Sequence, residues 1–241
     1  IVQGEGVHPV ADACNFARFC SNLDFFAITD HAEWLTRREW KDTISSIQNC
    51  ASTSSDLDNP PIIPLLGWEW TQKSITKSKH YGHKNVILRS IENDAIPLRP
   101  IGAEGKFFES LLRMPISRML GASLYDFKNR QNYFNFRHRK LITENLNRCS
   151  ADVAVRDLPD DCIERAITPE VLFNKLDDWG YDSMVIPHGT AWGNTAPPLA
   201  AWDTQLNKKN HNPDYQKLIE LYSGHGNTEE YRSWRTLNIT K

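Results

Sequence analysis

Apolar positions along the chain repeat with two different periods, and the switching between them predicts the elements. In "PVADACNFARFCSNL", Val10, Ala13, Cys14, Ala17 and Cys20 recur at helical spacing, which predicts a helix from about Pro9 to Ser21. "DFFAITDH" follows as a short continuous apolar run, Phe25 to Ile28, that stops on Thr29-Asp30-His31 and reads as a buried strand. In "TRREWKDTISSIQNCAS", Thr36 is followed three residues later by Glu39, the capping-box pattern in which each side chain satisfies a backbone N–H left unpaired at a helix start. A second helix opens there. "PIIPLLGWEW" and "HKNVILRS" predict the second and third strands.

From Glu92 to Cys149 the periodicity weakens. "EGKFFESLLRMPISRML" predicts a helix, while "GASLYDFKNRQNYFNFRHRKLITENLNRC", dense in aromatic, amide and basic residues, reads as an insertion or long excursion. Order resumes where Thr168 caps and Gly180 ends a helix over "TPEVLFNKLDDWG", and "SMVIPHG" returns to a strand. "DYQKLIELYSGHGNTEEYRSW" then predicts a short helix, a strand "LIELYS" and a turn at Gly224-His225-Gly226. Strands alternating with helices imply the α/β class with parallel pairing.

Composition narrows the picture. The 241 residues, 40% hydrophobic and 24% charged, suffice for one large core, read as a single domain with an insertion around 92–165. A net charge of -2 offers no basic stripe for neutralising phosphates, so nucleic acid is not the expected partner. No apolar run approaches the ~18 residues of a spanning helix, and no signal peptide is read at the start. Ile1 and the closing "TLNITK" read as cuts from a longer protein.

None of the five cysteines forms a CxxC pair, which disfavours a zinc ribbon or a thioredoxin-type motif. Cys20 and Cys50 fall at the ends of predicted helices, and Cys149 and Cys162 bracket a loop. Those placements suit the disulfides Cys20–Cys50 and Cys149–Cys162 in an oxidising compartment, periplasmic or secreted. Spacing alone equally allows buried free thiols in a cytosolic protein. Cys14 is left over.

Candidate chemistry sits at strand ends. An apolar strand runs into an ionisable residue of metal-ligand type at His31, Glu69, His188 and His225, and His83 opens the strand "KNVILR". In a (β/α) barrel the carboxyl ends of the strands share one mouth, where such residues would meet. Imidazoles with a carboxylate suit zinc, manganese or iron rather than calcium. Glu69 lies among Leu66, Trp68 and Trp70, and an unpaired buried charge costs several kcal/mol, so a metal ion or an arginine such as Arg89 should meet it. Taken singly, each histidine is more often structural than a ligand. His8, His138 and His211 read as surface residues, and His80 is a weaker alternative to His83. Asp30 reads either as the acceptor of the second N–H of a metal-bound His31 or as a turn cap.

At "AITDHAE", "LLGWEWT", "GHKNVIL", "VIPHGTAWG" and "YSGHGNTEEY" the sequence resembles the PHP superfamily of polymerase and histidinol phosphatase domains, and within it an uncharacterised, often exported branch. The resemblance implies an α/β fold, a partial distorted (β/α)7 TIM-like barrel. It also implies a hydrolase with two or three divalent metal ions, zinc, manganese or iron, acting on a small phosphoester. By position, His31 would hold one metal, Glu69 would bridge two, and His83 with His188 would complete the second. His80 and Asp30 would support these ligands, and a metal-bound water would be the nucleophile. His225 is assigned to substrate or water contact, and Trp192 to a roof over the pocket. Arg137, with Arg139 and Lys140, would bind substrate phosphate or else form a solvated helix face. The family's opening His-x-His and closing Asp-x-His motifs are not within the chain, which reads as a fragment with the remaining ligands outside it or else as a degenerate homologue, the fragment being favoured. Two alternatives stay open: hydrolysis of a carboxyl ester, lactone or amide by the same ligands, and a non-catalytic binding module that could draw on the eight tryptophans.

Overall fold

A computed structural model describes residues 8–53, 60–74, 76–104, 115–144, 146–189, 196–197, 200, 202–207, 209–223 and 226–227. Helix α1 (Val10–Asn15) continues into a π-helical turn over Phe16–Cys20. Strand β1 (Phe25–Ile28) follows, then a 3-10 turn at Ala32–Trp34 and helix α2 (Arg37–Ser52). The capping box forms as predicted: Thr36 Oγ1 accepts from the Glu39 N–H, and Glu39 accepts from the Thr36 N–H.

Strands β2 (Ile63–Thr71), β3 (His83–Leu88) and β6 (Ser183–His188) build the main sheet with β1, in the order β1-β2-β3-β6. Strands β4 (Ile101–Ala103) and β5 (Glu164–Ala166) make a small parallel pair beside it. Between them in sequence lie α3 (Ile116–Tyr125) and α4 (Arg130–Glu144), so the stretch read as an excursion is largely helical. Helix α5 (Pro169–Trp179) starts at the Thr168 cap and ends at Gly180, whose φ of 66° is the left-handed conformation a helix stop of this kind requires. A short helix α6 (Trp202–Gln205) and a hairpin of β7 (Tyr222–Ser223) with β8 (Gly226–Asn227) complete the described elements. The strand predicted over "LIELYS" reduces to β7.

The expected barrel does not form among the described residues. β1 pairs with β2 in parallel, but β2 with β3 and β3 with β6 are antiparallel, giving an open mixed sheet. The physical reason is the connection from β2 to β3. A parallel crossover needs a dozen or more residues, usually as a helix, whereas 72–82 holds only a 3-10 turn at Lys77–Lys79 among its described residues. β2 changes partner midway: Leu65 and Leu66 pair with β1, and Gly67 to Thr71 pair with β3. At the changeover a Cβ on Gly67 would collide with the Val86 carbonyl, so the close backbone approach requires glycine.

Strand pleating then separates two faces. Leu66, Trp68 and Trp70 of β2, Val86 and Leu88 of β3 and Val185 of β6 point into the core, where they meet Trp40 and Ile47 of α2 and Leu172 and Phe173 of α5. Trp40 and Trp68 pack edge to face at 5.7 Å, and the Trp70 Nε1–H is satisfied by the Ala166 carbonyl. Glu69, His83 and His188 lie on the opposite face.

Disulfides join Cys149 to Cys162, as expected, and Cys14 to Cys50, which corrects the Cys20–Cys50 pairing. The π turn explains the difference. Its i→i+5 bonding rotates Cys20 off the stripe that extrapolation from α1 assigns it. Cys14 is buried against α2, whereas Cys20 is exposed and free. Among the described residues no helix is long and apolar enough to cross a membrane.

Candidate metal centre

Three chain segments deliver their side chains to one point. β2 presents Glu69 at its carboxyl end, β3 presents His83 as its first residue, and β6 presents His188 as its last. The antiparallel register sets His83 directly opposite both Thr71 and His188, and Glu69 one step diagonally from His83. His83 Nδ1 is 2.8 Å and His188 Nε2 3.4 Å from Glu69 Oε1. The two imidazoles stand nearly perpendicular, at 85°, with centroids 5.5 Å apart. One ligand atom from each of Glu69, His83 and His188 lies within 4.8 Å of the others, so the three could hold a metal ion.

His31 arrives from the other side. β1 stops at Ile28, and the chain makes a single parallel bridge between His31 and Glu69, with the Glu69 N–H donating to the Asp30 carbonyl at 2.9 Å. His31 Nδ1 lies 3.3 Å from Glu69 Oε2 and 2.6 Å from the Thr71 hydroxyl. Glu69 therefore faces imidazoles with both oxygens: His83 and His188 at one, His31 at the other.

The electrostatics leave these groups in the state a cation needs. Burial disfavours the Glu69 charge, but hydrogen bonds from His188 and His83 and the nearby imidazoles outweigh it and hold the carboxyl well below the usual range. Burial lowers His83, partly offset by Glu69. At neutral pH the carboxylate is ionised and His83 is neutral, as metal ligation requires.

Other expected residues fall differently. Arg89 does not meet Glu69: it is exposed and pairs with Asp182 at 3.2 Å. Asp30 is half-buried beside the bridge, its carbonyl accepting from the Glu69 N–H. His80 is buried, at 2% exposure, with neither ring nitrogen in a well-formed hydrogen bond to a described residue. His8 and His138 are exposed as predicted, and His211 is half-buried against Gln216. Arg137 is exposed on α4, whose Phe136 packs on Trp34, three residues after His31. Trp192, His225 and the side chains of Arg139 and Lys140 lie outside the described residues.

Two residues that sequence reasoning missed tie His31 in place. Glu33 is buried in the turn that follows it, and its Oε1 accepts the backbone N–H groups of Thr71, at 3.1 Å, and Ala103. Thr71 in turn holds His31. Burial raises the Glu33 carboxyl against the opposing pull of Arg165, which also donates to the Glu33 carbonyl at 3.0 Å. Glu33 thus fastens the turn after His31 to the ends of β2 and β4. Its presence in "TDHAEWL" was the available signal, but nothing local says that it points inward.

Compared with models of protein families, with curated proteins and with solved structures, the chain finds no match.

Proposed function

We propose that the protein is a metal-dependent hydrolase related to the PHP superfamily, with a phosphoester as its substrate class. The observation that carries this reading is the convergence of three imidazoles on both oxygens of one buried carboxylate. Nitrogen and carboxylate donors without thiolate suit zinc, manganese or iron. Glu69, His83 and His188 would hold one such ion, and His31 with the second Glu69 oxygen would take part in holding another. When bound, these ions would supply Lewis acidity toward the substrate oxygen and lower the pKa of a water. The chain's own residues fix the ligand positions, with Thr71 orienting His31 and the tryptophan-lined core holding β2 and β3 rigid beneath. Two disulfides are compatible with an extracellular site of action, and we place the protein in the periplasm or outside the cell.

The test is metal content and turnover on one preparation. The chain, expressed in an oxidising compartment and dialysed against zinc or manganese, should retain divalent metal. It should also hydrolyse a nitrophenyl phosphate or phosphodiester faster than the matching carboxyl ester. Glu69→Gln should abolish retention and lower turnover at least 100-fold, since one residue serves every ligand. Preference for the carboxyl ester would move the substrate class, and retention without turnover on any ester would favour a binding module. No retained metal would overturn the reading.

A further inference from the structure

Asn85 sits directly across the sheet from Glu69 and two residues along β3 from His83. Residues i and i+2 of a strand share a face, so Asn85 stands on the face that carries Glu69, His83 and His188. Its neighbour on the other side is Ile186, which offers no side-chain donor. Asn85 Oδ1 is sealed from solvent and has no hydrogen-bond partner among the described residues.

A sealed amide oxygen without a donor forfeits the hydrogen bonds water would give it, and an ionised carboxylate opposite makes its position worse, because both groups present negative oxygens. Directly opposed residues in an antiparallel pair have Cβ atoms about 4.5–5.5 Å apart, so the two side chains reach a common point between their strands. One positive group there would satisfy both. We infer that Asn85 Oδ1 is a fourth protein ligand to the cation that Glu69, His83 and His188 would hold. This rests on the metal reading of that site and extends it. The donor set becomes two imidazole nitrogens, one carboxylate oxygen and one amide oxygen. A neutral oxygen adds no charge and takes up no proton, and it shifts preference toward the oxygen-tolerant first-row ions, manganese and iron, relative to zinc.

The experiment titrates the full chain, stripped with a chelator, with cobalt(II) alone, reading affinity by chelator competition and coordination by the visible d–d bands. Asn85→Leu keeps the size and removes the oxygen, while Asn85→Asp keeps an oxygen at the same reach. The leucine variant should bind the first cobalt about 10–100-fold more weakly, the range for losing a group that completes or orients a metal site, with shifted bands. The aspartate variant should bind at least as tightly as the native chain. Leucine and native proteins alike in affinity and spectrum would overturn the assignment and leave the metal centre standing. A native chain that takes up no cobalt would overturn both. Asn85→Ser, which withdraws the oxygen from reach, repeats the comparison if the leucine variant does not fold: weakened binding supports the assignment and native-like binding overturns it.

Discussion

His80 is the residue whose protonation the fold opposes most visibly. It is pushed down to about 4, first by burial, then by the neighbouring His83, with the Gly189 backbone acting in the other direction and Lys84 and Lys73 adding to the lowering. An unfolded histidine titrates near 6.5. As the pH falls from about 6.5 to about 4, the unfolded chain takes up a proton that the folded chain refuses, so stability is present above that window and is lost through it. His83, also lowered, contributes with the same sign. For His80 the full loss is on the order of 3 kcal/mol. Urea midpoints at pH 7.5 and pH 5 should fall less in His80→Gln than in the native chain, and an equal fall in both would contradict this account. At the same scale, Glu69, His83 and His188 were legible because an ionisable group closing or opening an apolar strand is visible in one dimension. Asn85, Thr71 and Glu33 were not, because each owes its role to what stands across a strand or a sheet. Register is set by distant residues.

Among the elements, α2 was read correctly to its cap because helix signals are local, and so was α5 with its Thr168 and Gly180 ends. The error at Cys20 was also local, a helical stripe extended through a turn that changes its pitch. It leads to a plain expectation. Iodoacetamide applied to the native, unreduced protein should label Cys20 alone, and a peptide map showing labelled Cys14 would refute the Cys14–Cys50 bridge. Strand direction was misjudged for a different reason. Apolar period marks a strand without giving the sense in which it pairs, and only the shortness of the connection between Thr71 and His83 hinted that β2 and β3 are antiparallel.

Over the whole molecule, two covalent links close loops with sequence separations of 36 and 13. On chain-entropy grounds these contribute about 4 and about 3 kcal/mol, a large share of the ~5–15 kcal/mol typical of a domain. Reduction should therefore lower the melting temperature markedly, and a reduced chain that melts with the oxidised one would show the links to be dispensable. The sheet has a second property at this scale. β3 and β6 pair so that Leu88 faces Ser183, and Arg89 and Asp182 clasp just beyond, so everything from 90 to 181 leaves and re-enters the sheet at a single point. That segment supplies core through β4, β5 and α5, while its helix α4 sets Phe136 against Trp34, three residues after His31. In evolutionary terms the arrangement separates two kinds of change. Substitutions around Phe136 of α4 would change what stands beside the turn after His31, while the strands that carry Glu69, His83 and His188 stay fixed. A lineage of such proteins would vary in what surrounds the Glu69, His83 and His188 cluster long before it varied in the cluster itself.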